Sequence, residues 1–231
     1  VSVTGKDAFS YLQTQTTNDI QRLLVGQGQN SAIVDRKARL IATFSIHKNS
    51  ETSAFILIEK IQQKKLFDHL SAYLFREEVK FQARDETLLT LQGPKSVLVS
   101  QNLLNQSPPE IAECPLGEEK LLVINKSCTG EGGFVIGFNP ALKERITALT
   151  LKAGEKYGIS PVSAQTQEIL RIEAGIPLYG KDMDEENILP ETGLEQTSVS
   201  YNKGCYIGQE VITRIKTYGS PPIALMGLIG D

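Results

Sequence analysis

Cysteine is scarce in this 231-residue chain: Cys114, Cys128 and Cys205 are an odd number with no C-x-x-C pair. That pattern excludes a disulfide framework and a self-contained zinc or iron-sulfur site, assigns no metal ligands, and fits a reducing compartment. Histidine is scarcer still. His47 and His69 lie far apart without an acidic partner motif, so neither is singled out as a ligand or base. No apolar run approaches the roughly 18–20 residues that a membrane span needs, and the first residues lack the charged-then-apolar layout of a signal peptide. Charge of one sign is missing too: 24 Lys and Arg stand against 27 Asp and Glu, a net charge of -3, which gives no electrostatic footprint for nucleic acid. The glycine-rich run Gly130-Glu131-Gly132-Gly133 is not a phosphate loop, because it lacks G-x-x-x-x-G-K-[ST] and leads into no helix.

What the chain does have is enough length and apolar content, 40% of residues, to bury one large or two smaller cores. Apolar spacing after Asp7 predicts a helix over 7–15, which ends in the hydrogen-bonding cluster Thr16-Thr17-Asn18-Asp19, either a helix end or the cap of a further turn. Residues 29–46 read as a hairpin whose polar tip, Asp35-Arg36-Lys37-Ala38-Arg39, is either solvated or an anion site. A strand over 53–60 and an amphipathic helix over 61–76 follow, then strands 79–83 and 86–91 paired around Arg84-Asp85, and a helix over 95–104. Strands near 121–124 and 134–137, helices over 141–154 and 163–174, and a breaker-rich loop from Gly175 to Met183 complete the count. The order predicts an α+β layer with a mainly antiparallel sheet.

The most unusual stretch is Lys203-Gly204-Cys205-Tyr206-Ile207-Gly208-Gln209-Glu210. Two glycines permit a tight turn that displays Cys205, and Lys203 favours the thiolate where its side chain lies nearby. Against this stands the bland alternative, a small buried cysteine. A short amphipathic helix is expected after Gly208, and Gly219-Ser220-Pro221-Pro222 reads as a linker.

The stretch resembles the signature K-G-C-[FY]-x-G-Q-E of the YgfZ/IBA57 family, folate-binding proteins that share a fold with the glycine-cleavage T-protein, an aminomethyltransferase. All eight positions fit. Likeness recurs in G-x-D-A-x-x-[FY]-L-Q with T-N-D-I at the front, in the T-G-E-x-G-[FY] turn, and in L-R-I-E-A-G-I-P-x-[YF]-G-x-D-[MI] followed by Leu189-Pro190-Glu191. The resemblance implies a GcvT-like folate-binding fold of the α+β class. Its discontinuous first domain would span 1–47 and 157–217, a ferredoxin-like α+β domain would be inserted over 48–156, and 218–231 would be a linker and the first strand of a barrel domain that this chain largely lacks. The chain begins without methionine, and further segments are expected beyond both ends.

By the same resemblance, tetrahydrofolate or a one-carbon derivative is the implied cofactor. Asn18, Asp19, Thr43, Glu131, Arg171, Tyr179, Glu191, Tyr206 and Gln209 are the positions carried over as folate-site residues, with Cys205 and Lys203 as the reactive pair. Arg171 and Glu173 could equally be a structural helix pair. The implied function is an accessory factor in assembly or repair of iron-sulfur proteins, including tRNA-modifying enzymes. Its partners would be iron-sulfur assembly or client proteins, with no direct nucleic acid and no membrane, in the cytoplasm or, in a eukaryote, the mitochondrial matrix. The rivals are a folate-dependent aminomethyl or methyl transferase and a non-catalytic folate-binding protein. Aminomethyltransferases carry an aspartate on the folate-site strand, where this chain has Ala42 and Thr43, which leaves no titratable group for proton transfer there.

Overall fold

The hairpin at residues 28–50 seeds the first of two units, because both of its faces are apolar. In the computed structural model, which describes residues 1–228, this unit comprises Val1–Ala83 together with the chain from Pro177 onward, and a second unit comprises Arg84–Ile176. The first unit contains β1 (Ser2–Thr4), α1 (Ala8–Gln15), β2 (Gly28–Val34), β3 (Leu40–Ser50), β4 (Ser53–Ile58), α2 (Lys60–Ala72) and β5 (Lys80–Gln82). The five strands form one antiparallel sheet in the order β2-β3-β4-β1-β5.

Alternation along β2 sends Ile33 to one face and Ala32 and Val34 to the other. On the Ile33 side, Leu12, Ala42, Ile46, Ile56, Leu66 and Leu70 make a core under α1 and α2. The register opposes Ile33 to Ala42 but Val34 to Leu40, so β3 carries a bulge at Ile41. That extra residue turns Leu40 onto the face opposite Ala42, where it joins Ala32 and Val34. This second face is covered by the returning chain: a 3-10 turn (Leu189–Thr192), a four-residue helix α6 (Glu195–Ser198) and α7 (Gln209–Tyr218) are numbered after the second unit's elements. Tyr179, Met183, Leu189, Tyr206 and Ile212 pack there.

The second unit contains β6 (Thr87–Gln92), α3 (Ser96–Leu104), β7 (Ile111–Leu116), β8 (Glu119–Asn125), β9 (Gly133–Phe138), α4 (Lys143–Gly154) and α5 (Ala164–Glu173). Its antiparallel sheet runs β6-β9-β8-β7, and Leu103, Leu121, Val123, Phe134, Ile136 and Ile146 fill its core. A β7-β8-β9 meander with the first strand at one edge replaces the ferredoxin-like order expected for an inserted domain.

Three expectations need correction. The inserted region does not begin at 48: β4 and β5 are hydrogen-bonded into the first sheet and α2 packs on it, which moves the break to 83/84, and the return falls at 176/177. The strands on either side of Arg84-Asp85 do not pair with each other; β5 pairs with β1 and β6 with β9. No strand is present over 223–228, where Leu225 N–H finds a single backbone partner, Glu191 O, at 2.8 Å instead of a ladder. The rest of the expected tail strand, 229–231, lies outside the described residues. Among the described residues no helix is long and apolar enough to cross a membrane.

Candidate functional site

Four segments of the first unit meet on the second face of its sheet: the 16–19 cluster, the hairpin tip, the 178–192 loop and the 203–208 signature. The signature is tied down at its first residue. Lys203 Nζ donates to the carbonyls of Gln13, Thr16 and Asn18 at 2.7, 2.6 and 2.8 Å, and lies 5.1 Å from the centre of the Tyr206 ring. An ammonium has three donors, and here all three close the open end of α1. Burial pulls its pKa down to about 8, while Asp19 acts in the opposite direction. The expected role of Lys203 as activator of Cys205 is therefore corrected: its donors are spent on the backbone.

Gly208 fixes the other end. It has φ +83°, and a Cβ there would stand 2.4 Å from Asp35 O and 2.8 Å from Val34 Cγ2, so only glycine lets α7 start against the hairpin tip. Gly204 has nothing within 4 Å of its missing Cβ and no positive φ, so it is not required in the same sense. Between the two anchors Cys205 is exposed, and Tyr206 is buried with its hydroxyl pushed up to about 12 by burial.

The hairpin tip is built around Asp35, whose Oδ1 accepts Lys37 N–H at 2.7 Å and Arg39 N–H at 2.9 Å. Leu40 N–H donates to Asn187 O and Leu189 N–H to Ala38 O, both at 3.0 Å, which docks the tip onto the 178–192 loop. Arg36, Lys37 and Arg39 point their charge outward from an exposed position.

Asn18 and Asp19 are committed to the protein. Asn18 Nδ2 donates to Asn30 O (2.8 Å) and Thr197 O (3.1 Å), and its Oδ1 accepts Asp19 N–H (2.9 Å). Asp19 accepts from Gln13 Nε2 at 3.0 Å and pairs with Arg22 at 3.1 Å. Thr17 Oγ1 donates to Ser198 O at 2.5 Å and accepts Ala32 N–H at 3.0 Å, so this cluster is a knot between α1, β2 and α6. Thr43 has its N–H taken by Gln62 Oε1 at 2.7 Å, from a glutamine with no exposed surface. Ala42 beside it is fully buried, and neither residue offers a proton-transfer group.

A cavity of about 190 Å³ in this region is lined by Asp182, Met183, Asn187, Glu191, Ile223 and Leu225 among others. Glu191 Oε2 accepts Ile188 N–H at 3.2 Å and Asn187 Nδ2 at 3.4 Å. Its Oε1 accepts no hydrogen bond among the described residues, which leaves a carboxylate oxygen available beside apolar walls. Tyr179, also a predicted site residue, is buried, and its hydroxyl bonds Lys65 and Glu185. Gln209, at the first turn of α7, is half-buried, with its N–H on Tyr206 O at 3.3 Å.

Glu131 and Arg171 belong to the second unit. Glu131 is exposed in the β8-β9 turn. Arg171 is 8% exposed and bonds Glu168 at 2.7 and 3.1 Å as well as the Ile176 carbonyl. The Glu168 pair lies within α5, and the bond to the Ile176 carbonyl ties the helix to the chain just beyond it. Sequence reasoning missed Asn187, Lys65, Gln62 and Glu185. The first sits four residues before Glu191 and is findable from the turn chemistry of Asp184–Asn187; Gln62 and Lys65 are ordinary helix polars bonded to Thr43 and Tyr179 on other elements, and Glu185 is a loop polar with partners at Tyr179 and on α2. Among the described residues no three His, Cys, Asp or Glu side chains gather to hold a metal ion.

Comparison with known proteins agrees with this architecture. The model of the GCVT N-terminal domain family matches residues 1–203. An aminomethyltransferase of Synechocystis sp. is 29% identical over 233 residues, covering 94% of this chain and 60% of its own length. One from Caldanaerobacter subterraneus subsp. tengcongensis is 27% identical over 227 residues, with 95% and 60% covered. The chain thus spans about 60% of the length of the curated relatives it matches. The crystal structure of glycine cleavage system aminomethyltransferase T from Bartonella henselae superposes with a TM-score of 0.83 at 21% identity, over 95% of this chain and 61% of that one.

Proposed function

The chain belongs to the GCVT N-terminal domain family, and on that premise we propose that it is the folate-binding part of an aminomethyltransferase-like protein, taking the ring end of a tetrahydrofolate in the Glu191 cavity. The fold is GcvT-like, mixed α and β. The observation that carries the reading is the unshared Glu191 Oε1 in a cavity walled by Met183, Ile223 and Leu225. A pterin presents N–H donors along one edge and a flat apolar face, which suits one acceptor oxygen between apolar side chains. The volume fits a ring system and not a whole folate, whose remainder would run outside it. Glu191 and Asn187 would orient the ring, and the bound folate would supply the one-carbon acceptor. Anaerobic calorimetry with tetrahydrofolate tests this: Glu191→Gln, which keeps the shape but loses the charge, should weaken binding about 10-fold or more. Equal affinity for both proteins would sink it.

A second reading, the folate-binding accessory factor of the YgfZ/IBA57 type, is favoured by a different observation. The strand position that would carry a proton-transfer carboxylate holds buried Ala42 and half-buried Thr43, whose amide is capped by Gln62, while Cys205 is exposed in the signature loop. Aminomethyl transfer to tetrahydrofolate, followed by ammonia release in the full-length parent, separates the two. Activity supports the transferase. Binding without transfer, together with restoration of a [4Fe-4S] enzyme in cells lacking their own family member, supports the accessory role.

A further inference from the structure

The loop that supplies one wall of the cavity is held by the hairpin tip and, at its other end, by α2. α2 presents Lys65 next to the core residue Leu66. Lys65 Nζ donates to Tyr179 Oη at 3.0 Å, lies 3.0 Å from Glu185 Oε2, and sits 5.4 Å over the Tyr179 ring. Tyr179 Oη in turn donates to Glu185 Oε2 at 2.9 Å, which closes a three-membered clasp. The two loop members flank the turn: Tyr179 opens it and Glu185 follows it, and Asp182 and Met183 between them line the cavity. The turn is internally braced by Gly180 N–H to Met183 O (2.8 Å) and Leu178 N–H to Asp182 Oδ2 (2.8 Å). Beyond it, Asp184 N–H to Asn187 Oδ1 (3.0 Å) and Asn187 Nδ2 to Glu191 Oε2 (3.4 Å) carry the connection to the cavity carboxylate.

We propose that Lys65 is a positioning residue for this cavity: through Tyr179 and Glu185 it fixes the turn bearing Asp182 and Met183, so that the binding wall is ordered before a ligand arrives. The ligand assignment rests on the folate reading above; the ordering itself does not. Lys65 and Glu185 have side chains 40% and 61% exposed, and an ion pair that open adds little to global stability. What the clasp does instead is remove the ordering cost from binding, since side chains fixed in advance are not immobilised at the ligand's expense.

Amide exchange on the whole protein, compared among wild type, Lys65→Met, Tyr179→Phe and Lys65→Arg, tests the proposal. Exchange at Gly180, Asp182 and Asn187 should accelerate roughly 10-fold in the first two variants and recover in Lys65→Arg, with β2 and β3 amides and the melting temperature nearly unmoved. Tetrahydrofolate affinity should fall about 10-fold in the same two variants. Accelerated exchange in variants of a wild type that binds no tetrahydrofolate keeps the positioning role and refutes the folate reading. Unchanged exchange in both Lys65→Met and Tyr179→Phe overturns the proposal whatever happens to binding. So does a fall in melting temperature on the scale of a core truncation, because the clasp would then hold the unit and not the turn.

Discussion

Replacing Gly208 with alanine should destabilise the first unit sharply, while the same change at Gly204 should not. The added methyl at 208 meets two costs. Holding a non-glycine residue at φ +83° costs about 1–2 kcal/mol. The Cβ would also lie 2.4 Å from Asp35 O, a backbone atom in a tip fixed by the Asp35 side chain and by bonds to Leu189 and Asn187, so relief requires moving the hairpin. Overpacking of this kind costs about 1–3 kcal/mol. Together these give about 2–5 kcal/mol, which for a protein of this size lowers the melting temperature by roughly 5–15 °C. Gly204→Ala meets open space without a positive φ, and should fall within about 0.5 kcal/mol of wild type. The chain has no tryptophan, and all of its seven tyrosines except Tyr157 lie in the first unit, so tyrosine fluorescence during urea unfolding reports mainly on it. Equal midpoints for the two variants would refute the reasoning, because it assigns the two glycines different jobs on geometry alone.

Lys203→Met should cost about 2–4 kcal/mol in the same assay, since it strips donors from the carbonyls of Gln13, Thr16 and Asn18 and hydrogen bonds to charged groups are the stronger kind. Lys203→Arg should not restore the loss, because a planar fork cannot converge on three carbonyls from one point; a Met variant as stable as wild type would dismiss the knot. Among the cysteines, Cys205 should react rapidly with a thiol reagent and Cys114, 2% exposed with burial raising its pKa, should not react until unfolding. Cys205→Ser should remove the fast phase, and a fast phase that survives it contradicts the assignment. The carboxyl of Glu185 is pulled down to about 2 from 4.5, first by its own backbone N–H and then by Lys65 and Tyr179. A depressed acid stabilises the folded state above its unfolded pKa and loses that contribution as pH falls through the folded one. Because the pair is solvent-exposed, the gap in melting temperature between wild type and Glu185→Gln should be small; it should be constant above about pH 5, close toward pH 2 and shrink further in high salt; a gap that widens on acidification has the wrong sign.

The elements that sequence placed well are those whose signal is local. α1, the 28–50 hairpin, α3, α4 and α5 follow apolar spacing and turn residues, and all lie within a few residues of where periodicity sets them. The failures are decisions made by distant chain. Nothing in Lys80–Gln82 or Thr87–Gln92 says that two neighbouring strands enter different sheets; their partners, β1 and β9, lie about 80 residues before and 45 after them. Pro115 breaks the strand signal of β7, yet β7 is an edge strand, where a missing N–H is tolerated.

The signature stretch follows the same division between local signal and distant chain. The pattern from Lys203 to Glu210 stands out along the chain, but spacing put Lys203 beside Cys205, whereas the fold sends the ammonium across to residues 13–18. Two residues apart on a loop is not a contact; the side chain goes where unsatisfied acceptors lie, and the end of α1 offers three. Gly208 likewise earns its place from Asp35, some 170 positions earlier, and not from the turn it sits in. Glu191 stands out for the opposite reason: one of its oxygens has no partner among the described residues and lies beside a cavity, in a loop where neighbouring polar groups are bonded to one another. A carboxylate left that way is the place to test for what the protein binds, and on the proposal above the clasp through Lys65 holds the turn beside it.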